Sequence, residues 1–201
     1  QHVAVRHGLA DPSGMFVSHI LNHVPGTCVT VTLEGRRPLA TEVQALVAPS
    51  VLSNPRRTTS GVDSSRLAMV LAVLQRRVGA RLIDQDVYVS TVGGARATPS
   101  GCAVEPAVDL ALALATLSAR DDVPLLAGIV AFGEVGLAGE IRPILGVSRR
   151  LSEAVRLGFT HAVVPVGSVE PGGTPAGMTL LEVPDLAQAV LVSSGPRTRS
   201  A

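Results

Sequence analysis

A helix that is apolar on almost every side has no face to give to water, and residues 106–119 of this chain spell such a helix. Val108, Leu110, Leu112, Leu114 and Leu117 spread around its circumference. Pro106 suits its first turn, where the missing N–H is one no helix satisfies internally. The helix must therefore be central, with other layers packed around it. Aromatic residues are only 2% of the 201 and apolar residues 46%, so the core is built from Val, Leu and Ala. Neither the apolar run Leu110 to Ala115 nor the longer Leu67 to Leu74 approaches the roughly 18 residues of a membrane helix.

Strand signals surround that helix. Thr27 to Leu33 alternates and turns at Glu34-Gly35-Arg36 into a second, antiparallel strand, Leu39 to Ala48. A polar stretch from Ser53 to Gly61 reads as a loop. Asp63 then caps a helix reaching about Val78, whose apolar face (Leu67, Val70, Leu71, Leu74, Val78) leaves Arg66, Arg76 and Arg77 outside. Asp86 to Val92 is a strand, and Ala95 to Val104 a Gly-, Ser- and Thr-rich loop. After the central helix come a strand over Ala127 to Phe132 and a glycine-rich hairpin over Gly133 to Ile141. A helix over Arg149 to Leu157 follows, stopped by Gly158. His161 to Pro165 and Thr179 to Val183 are strands, and Asp185 to Val192 a last helix. This intermixture predicts an α+β domain with a mixed sheet over residues 27–192, a lead-in over 1–26 and a disordered tail over 193–201.

All seventeen basic residues are arginine; the chain has no lysine. The net charge of +1 conceals an uneven distribution. Arg36 to Arg81 carries eight arginines against Glu42 and Asp63, a local +6, whereas Leu82 to Glu140 carries Arg96 and Arg120 against eight acids, a local −6. Cys28 and Cys102 lack any C-x-x-C partner and read as reduced thiols of a cytoplasmic protein. No secretory leader is evident at the N-terminus. His19 and His23 share a helix face but lack a third ligand, so no metal site is expected.

Several motifs carry a resemblance. Phe132-Gly133-Glu134-Val135-Gly136-Leu137-Ala138-Gly139-Glu140-Ile141-Arg142-Pro143-Ile144 resembles a Lon-type peptidase stretch that leads to the catalytic lysine. In this register Ser148 takes the lysine position. The nucleophile's D-G-P-S-A-G run corresponds to Val104-Glu105-Pro106-Ala107-Val108-Asp109, which puts Ala107 in place of the serine. A methyl group cannot attack a carbonyl, and no arginine can replace the lysine, because guanidinium stays protonated. Further runs, Glu34-Gly35-Arg36-Arg37-Pro38, Glu42-Val43-Gln44-Ala45-Leu46-Val47, Asn54-Pro55-Arg56-Arg57 and Gln85-Asp86-Val87-Tyr88, are similar to the C-terminal Lon-like domain of the RadA/Sms family of bacterial DNA repair proteins. Residues 95–102 depart from that family by several added positions.

The resemblance implies a Lon-type peptidase-like (ribosomal protein S5 domain 2-like) fold without proteolytic activity. It implies that the whole protein is a DNA-dependent ATPase promoting branch migration on recombination intermediates, as a hexameric ring working with a RecA-type recombinase. ATP with Mg and a structural Zn would belong to upstream domains, since this chain has neither a G-x-x-x-x-G-K-[ST] loop nor a four-cysteine cluster. Candidate DNA contacts are Arg56, Arg57, Arg66, Arg76 and Arg77, with Arg36 and Arg37 at the hairpin turn contacting DNA or a neighbouring subunit; solvated arginine is the alternative for all seven. The basic and acidic segments are candidate faces for ring assembly. Asp109 is expected to cap or to pair with an arginine. A protein-interaction platform without DNA contact, and a peptidase with its nucleophile relocated to Ser100 or Ser148, are the other readings.

Overall fold

The computed structural model describes residues 24–93 and 105–195. The lead-in through His23 with His19, the inserted loop with Arg96, Ser100 and Cys102, and the tail from Pro196 lie outside them.

β1 (Thr27–Glu34) and β2 (Arg37–Pro49) form a long antiparallel hairpin, closed by Gly35 at φ 60°. At its other end Gly26 holds φ 81°, and a Cβ there would stand 2.4 Å from the Ala45 carbonyl oxygen, so glycine is required. β3 (Arg57–Ser60) follows, then α1 (Ser64–Val73), which continues through a π turn (Leu74–Val78) to Gly79 in the left-handed conformation. The Asp63 side chain accepts from Ser65 N, the expected cap. β4 (Gln85–Gly93) lies antiparallel to β2 and parallel to β3. The stretch read as a polar loop thus contains an edge strand. Its Arg-Thr-Thr-Ser sequence has no apolar alternation because one edge and one face meet water.

A 3₁₀ turn (Pro106–Val108) opens α2 (Asp109–Asp121), every residue of which from Asp109 to Ser118 is buried. β5 (Ile129–Ala131), the small hairpin β6 (Glu134–Val135) and β7 (Ile141–Arg142), α3 (Val147–Arg156), β8 (His161–Pro165), β9 (Thr179–Val183) and α4 (Leu186–Ser193) complete the chain. Seven strands make one mixed sheet in the order β3-β4-β2-β1-β5-β8-β9, and β6 and β7 pair separately.

Two cores flank the sheet. Cys28, Val43, Val87, Ile129, Ala131 and Val163 point toward α1, α2 and α4. Val29, Val31, Val130, Phe132, Ala162 and Val164 point the other way, onto Val147, Leu151 and Ala154 of α3. Strands covered on both faces read as continuous apolar runs, which explains Ile129 to Phe132. The result is three layers, with α2 packed across the middle of the sheet as its apolar circumference requires.

Candidate functional site: the replaced pair and the divided arginines

The start of α2 meets the hairpin and α1. Gly133 N donates to the Ala107 carbonyl at 3.0 Å, and Leu110 N donates to the Gly133 carbonyl at 3.1 Å. A Cβ on Gly133 would stand 2.5 Å from Ile141 Cγ2, so the glycine of the motif permits this close approach. Ala107 is buried, 3% exposed. Asp109, also buried, accepts from Arg66 Nε at 3.1 Å, from Arg66 Nη2, and from Val135 N at 3.1 Å. Asp109 therefore pairs with an arginine as expected. Burial pushes its carboxyl above the ordinary range, and the Arg66 and Val135 hydrogen bonds oppose that shift without cancelling it. Glu134 stands 4.0 Å from both Arg66 and Arg142, and Glu140 3.1 Å from Arg142, so the hairpin carboxylates answer arginines.

Ser148 lies exposed on the first turn of α3, its carbonyl accepting from Ser152 Oγ at 2.9 Å. The same turn buries Arg150 to 1% exposure. Its Nη1 donates to the Val31 carbonyl at 2.7 Å, its Nε to the Leu145 carbonyl at 2.9 Å, and both terminal nitrogens reach the Glu105 carboxylate. Glu105 Oε1 also accepts from Leu33 N at 3.1 Å. Glu105 precedes Ala107 by two residues and Arg150 follows Ser148 by two. A structural ion pair therefore bridges the segments that carry Ala107 and Ser148. The sequence reading passes over Arg150, although a signal exists. Val147, Leu151 and Ala154 mark the buried face of α3, and position 150 falls on that face.

The seven candidate arginines divide. Arg57 directs its guanidinium inward, donating to the carbonyls of Arg56, Gln85 and, at 2.8 Å, Leu82. Arg66 is held by Asp109. Arg36, Arg37, Arg56, Arg76 and Arg77 are exposed, as is Arg81. They do not share one place. Arg57 lies beside Val87, which pairs with Val47 of β2, ten residues and about 33 Å along the strand from Arg37. Arg76 and Arg77 sit on the π turn, where the Arg77 stem packs 3.1 Å from a notional Cβ on Gly139 at the hairpin tip. Leu82, gripped by Arg57, is five residues beyond Arg77, at most about 17 Å of chain. Arg56, Arg76, Arg77 and Arg81 thus gather toward one end of the domain, and Arg36 with Arg37 occupy the other.

The −6 segment is largely neutralised within the domain. Glu105, Asp109, Asp121, Glu134 and Glu140 face arginines, and Asp86 Oδ1 accepts from Arg56 N at 2.7 Å. Burial pushes the Cys28 thiol up to about 12, which makes it an inert core residue. Among the described residues no three His, Cys, Asp or Glu side chains cluster to hold a metal, and no helix is long and apolar enough to cross a membrane.

The described residues form an α+β domain in which a buried methyl, Ala107, and a solvent-facing hydroxyl, Ser148, lie in segments joined by the Glu105–Arg150 ion pair. The family profile described as subunit ChlI of Mg-chelatase matches residues 99–168. A protein named DNA repair protein RadA from Mycolicibacterium smegmatis is 49% identical over 182 residues, 90% of this chain and 37% of that protein. Proteins of the same name from Pseudomonas aeruginosa and Escherichia coli are each 45% identical over 90% and 92% of the chain, and 39% and 38% of their own lengths. Over nine tenths of its length the chain is thus similar to proteins named DNA repair protein RadA. It spans a little over a third of the length of these relatives.

Proposed function

We propose that this chain is the proteolytically silent, Lon-like part of a RadA-type DNA repair protein, serving it as a DNA-contacting and assembly platform. The observation that carries this reading is the pair of replaced positions. Ala107 offers no nucleophile, Ser148 offers no base, and the Arg150–Glu105 bridge beside them is committed to backbone carbonyls and to itself. What remains at the surface is fixed positive charge: guanidinium stays protonated and its fork matches phosphate oxygens. The exposed Arg56, Arg76 and Arg77 are the phosphate contacts, whereas Arg57 and Arg66 hold the fold together. With no aromatic cluster beside these arginines, contact is to the backbone and tolerant of base sequence.

In the whole protein this platform serves a DNA-dependent ATPase that processes recombination intermediates as a ring, alongside a RecA-type recombinase. Mg-ATP and zinc belong to segments outside this chain. The residues here do not fit either group, since there is no lysine for a phosphate loop and no metal-type cluster among the described residues. The reading is tested by titrating labelled single-stranded and branched DNA with the chain at low and moderate salt. Binding that falls steeply with salt and ignores base sequence supports it; absence of binding at low salt overturns it.

A further inference from the structure

The C-terminal ends of α2 and α4 leave an open cleft of about 560 Å³ between them. Leu114 and Leu117 of α2, Val190 of α4, and Val123 and Leu125 of the loop after α2 line it. Leu114 and Leu117 belong to the main core, whereas Val123, Leu125 and Val190 are only half-buried, so the core opens to solvent here. The floor is pinned, with Leu126 N donating to the Ser193 carbonyl at 2.9 Å and Leu125 bridged to Ser194. The volume lies within the roughly 300–1,000 Å³ of clefts that take a ligand group.

The chain enters the domain along this cleft. Gly26 N donates to Ser118 Oγ at 2.9 Å, and Ser118 is one of the lining residues. Two residues earlier, Val24 stands beside Pro124 and Leu125, which line the cleft as well. Val24 itself is 50% exposed. A few residues before it the sequence runs Met15-Phe16-Val17-Ser18-His19-Ile20-Leu21, five large apolar residues in seven. The chain has three phenylalanines, and the other two, Phe132 and Phe159, are 0% and 2% exposed. Leu21 precedes Val24 by three residues, a reach of at most about 11 Å, and Phe16 by eight, at most about 29 Å.

We propose that the Met15–Leu21 segment of the lead-in seats in the α2–α4 cleft of its own chain. Its side chains leave water there, and the half-buried Val123, Leu125 and Val190 gain the cover they lack. Tethering decides between this occupant and a separate partner. A segment joined so closely to the cleft meets it at an effective concentration on the order of millimolar, without the translational freedom that a free ligand gives up. Seated there, the segment sets the direction from which the preceding chain approaches the domain and closes the cleft to other ligands. The contact is independent of the DNA and assembly readings above.

Chymotrypsin cuts after phenylalanine and leucine, so the test follows cleavage at Phe16 and Leu21 in the 201-residue chain by mass spectrometry, beside a synthetic peptide of residues 10–26. Cleavage in the chain is expected to be at least about tenfold slower than in the peptide, because it tracks the population of the unseated form. Val123→Arg puts a charge into the cleft, and Ile20→Asp with Leu21→Asp puts charges on the segment. Each is expected to bring cleavage at Phe16 to within about twofold of the peptide of its own sequence, with the melting temperature showing an intact fold. The second variant leaves every described residue unchanged, so it decides the matter if Val123→Arg unfolds the domain. A parent chain cut as fast as the peptide overturns the proposal, as does protection that survives in the folded variants. Protection that disappears on dilution assigns the seat to another molecule and overturns it too.

Discussion

The guanidinium of Arg150 and the carboxylate of Glu105 join the segments that carry Ser148 and Ala107, with Nη2 and Oε2 3.0 Å apart. Arg150 is 1% exposed, and its Nη1 and Nε also donate to the carbonyls of Val31 and Leu145. An arginine so enclosed is held by geometry and cannot turn to a substrate. The pair binds α3 to the lead-in of α2 across the top of β1.

Removing one partner of such a pair costs more than the pair contributes, because the other charge is left unmatched. Glu105→Ala is expected to lower unfolding free energy by about 3 kcal/mol, the low end for buried pairs because Glu105 is partly exposed. Arg150→Met, which keeps much of the volume and leaves no buried charge, is expected to cost less. Urea unfolding of the two variants checks the order. Equal losses, or a Glu105→Ala loss below about 1 kcal/mol, would show that solvent already screens this pair.

Two carboxylates give opposite pH signs. Hydrogen bonds from Ser65 hold Asp63 below its ordinary range. Its stabilisation is therefore present above the unfolded value of 3.8 and lost as pH falls through the lower folded value. Asp109 is raised by burial, so its contribution is fully present below 3.8 and lost as pH rises through the folded value. Relative to the parent, Asp63→Asn should cost stability at neutral pH and approach no cost on acidification. Asp109→Asn should be relatively better tolerated at neutral than at acid pH. Melting temperatures of both variants between neutral pH and the acid limit of folding provide the measurement; parallel profiles would contradict the assigned directions.

Catalytic silence is the third expectation. The chain should leave casein and peptide substrates intact and take up no serine-directed phosphonate, because Ala107 offers no nucleophile and the chain has no lysine to act as a base. Stoichiometric labelling at a single serine, read by mass spectrometry, would revive the relocated-nucleophile reading.

Much of this was legible in the residues, for identifiable reasons. The apolar circumference of α2, the alternation of β1, and the bounds of β8 and β9 follow from burial period alone. The strand β3 was not, since Arg57 to Ser60 has only Thr58 and Thr59 to mark an edge strand. Local charge counts also misled in one respect. They treat Asp109 and Glu105 as surface acids, whereas tertiary contacts pair them with Arg66 and Arg150 from 43 and 45 residues away. The same holds for the basic segment, whose arginines part to opposite ends of the sheet because β2 carries the chain across the domain between Arg37 and Arg56.

The account stands most directly on DNA binding by the exposed arginines. Replacing Arg56, Arg76 and Arg77 together by alanine removes three phosphate contacts, each contributing about 0.7 to 0.9 to the slope of log K against log salt. The decisive measurement is fluorescence anisotropy of labelled DNA over a salt series, for the parent and this triple variant. The account predicts a slope shallower by about 2 to 3 with the melting temperature unchanged, since none of the three side chains is buried. An unaltered slope in a folded triple variant would contradict it.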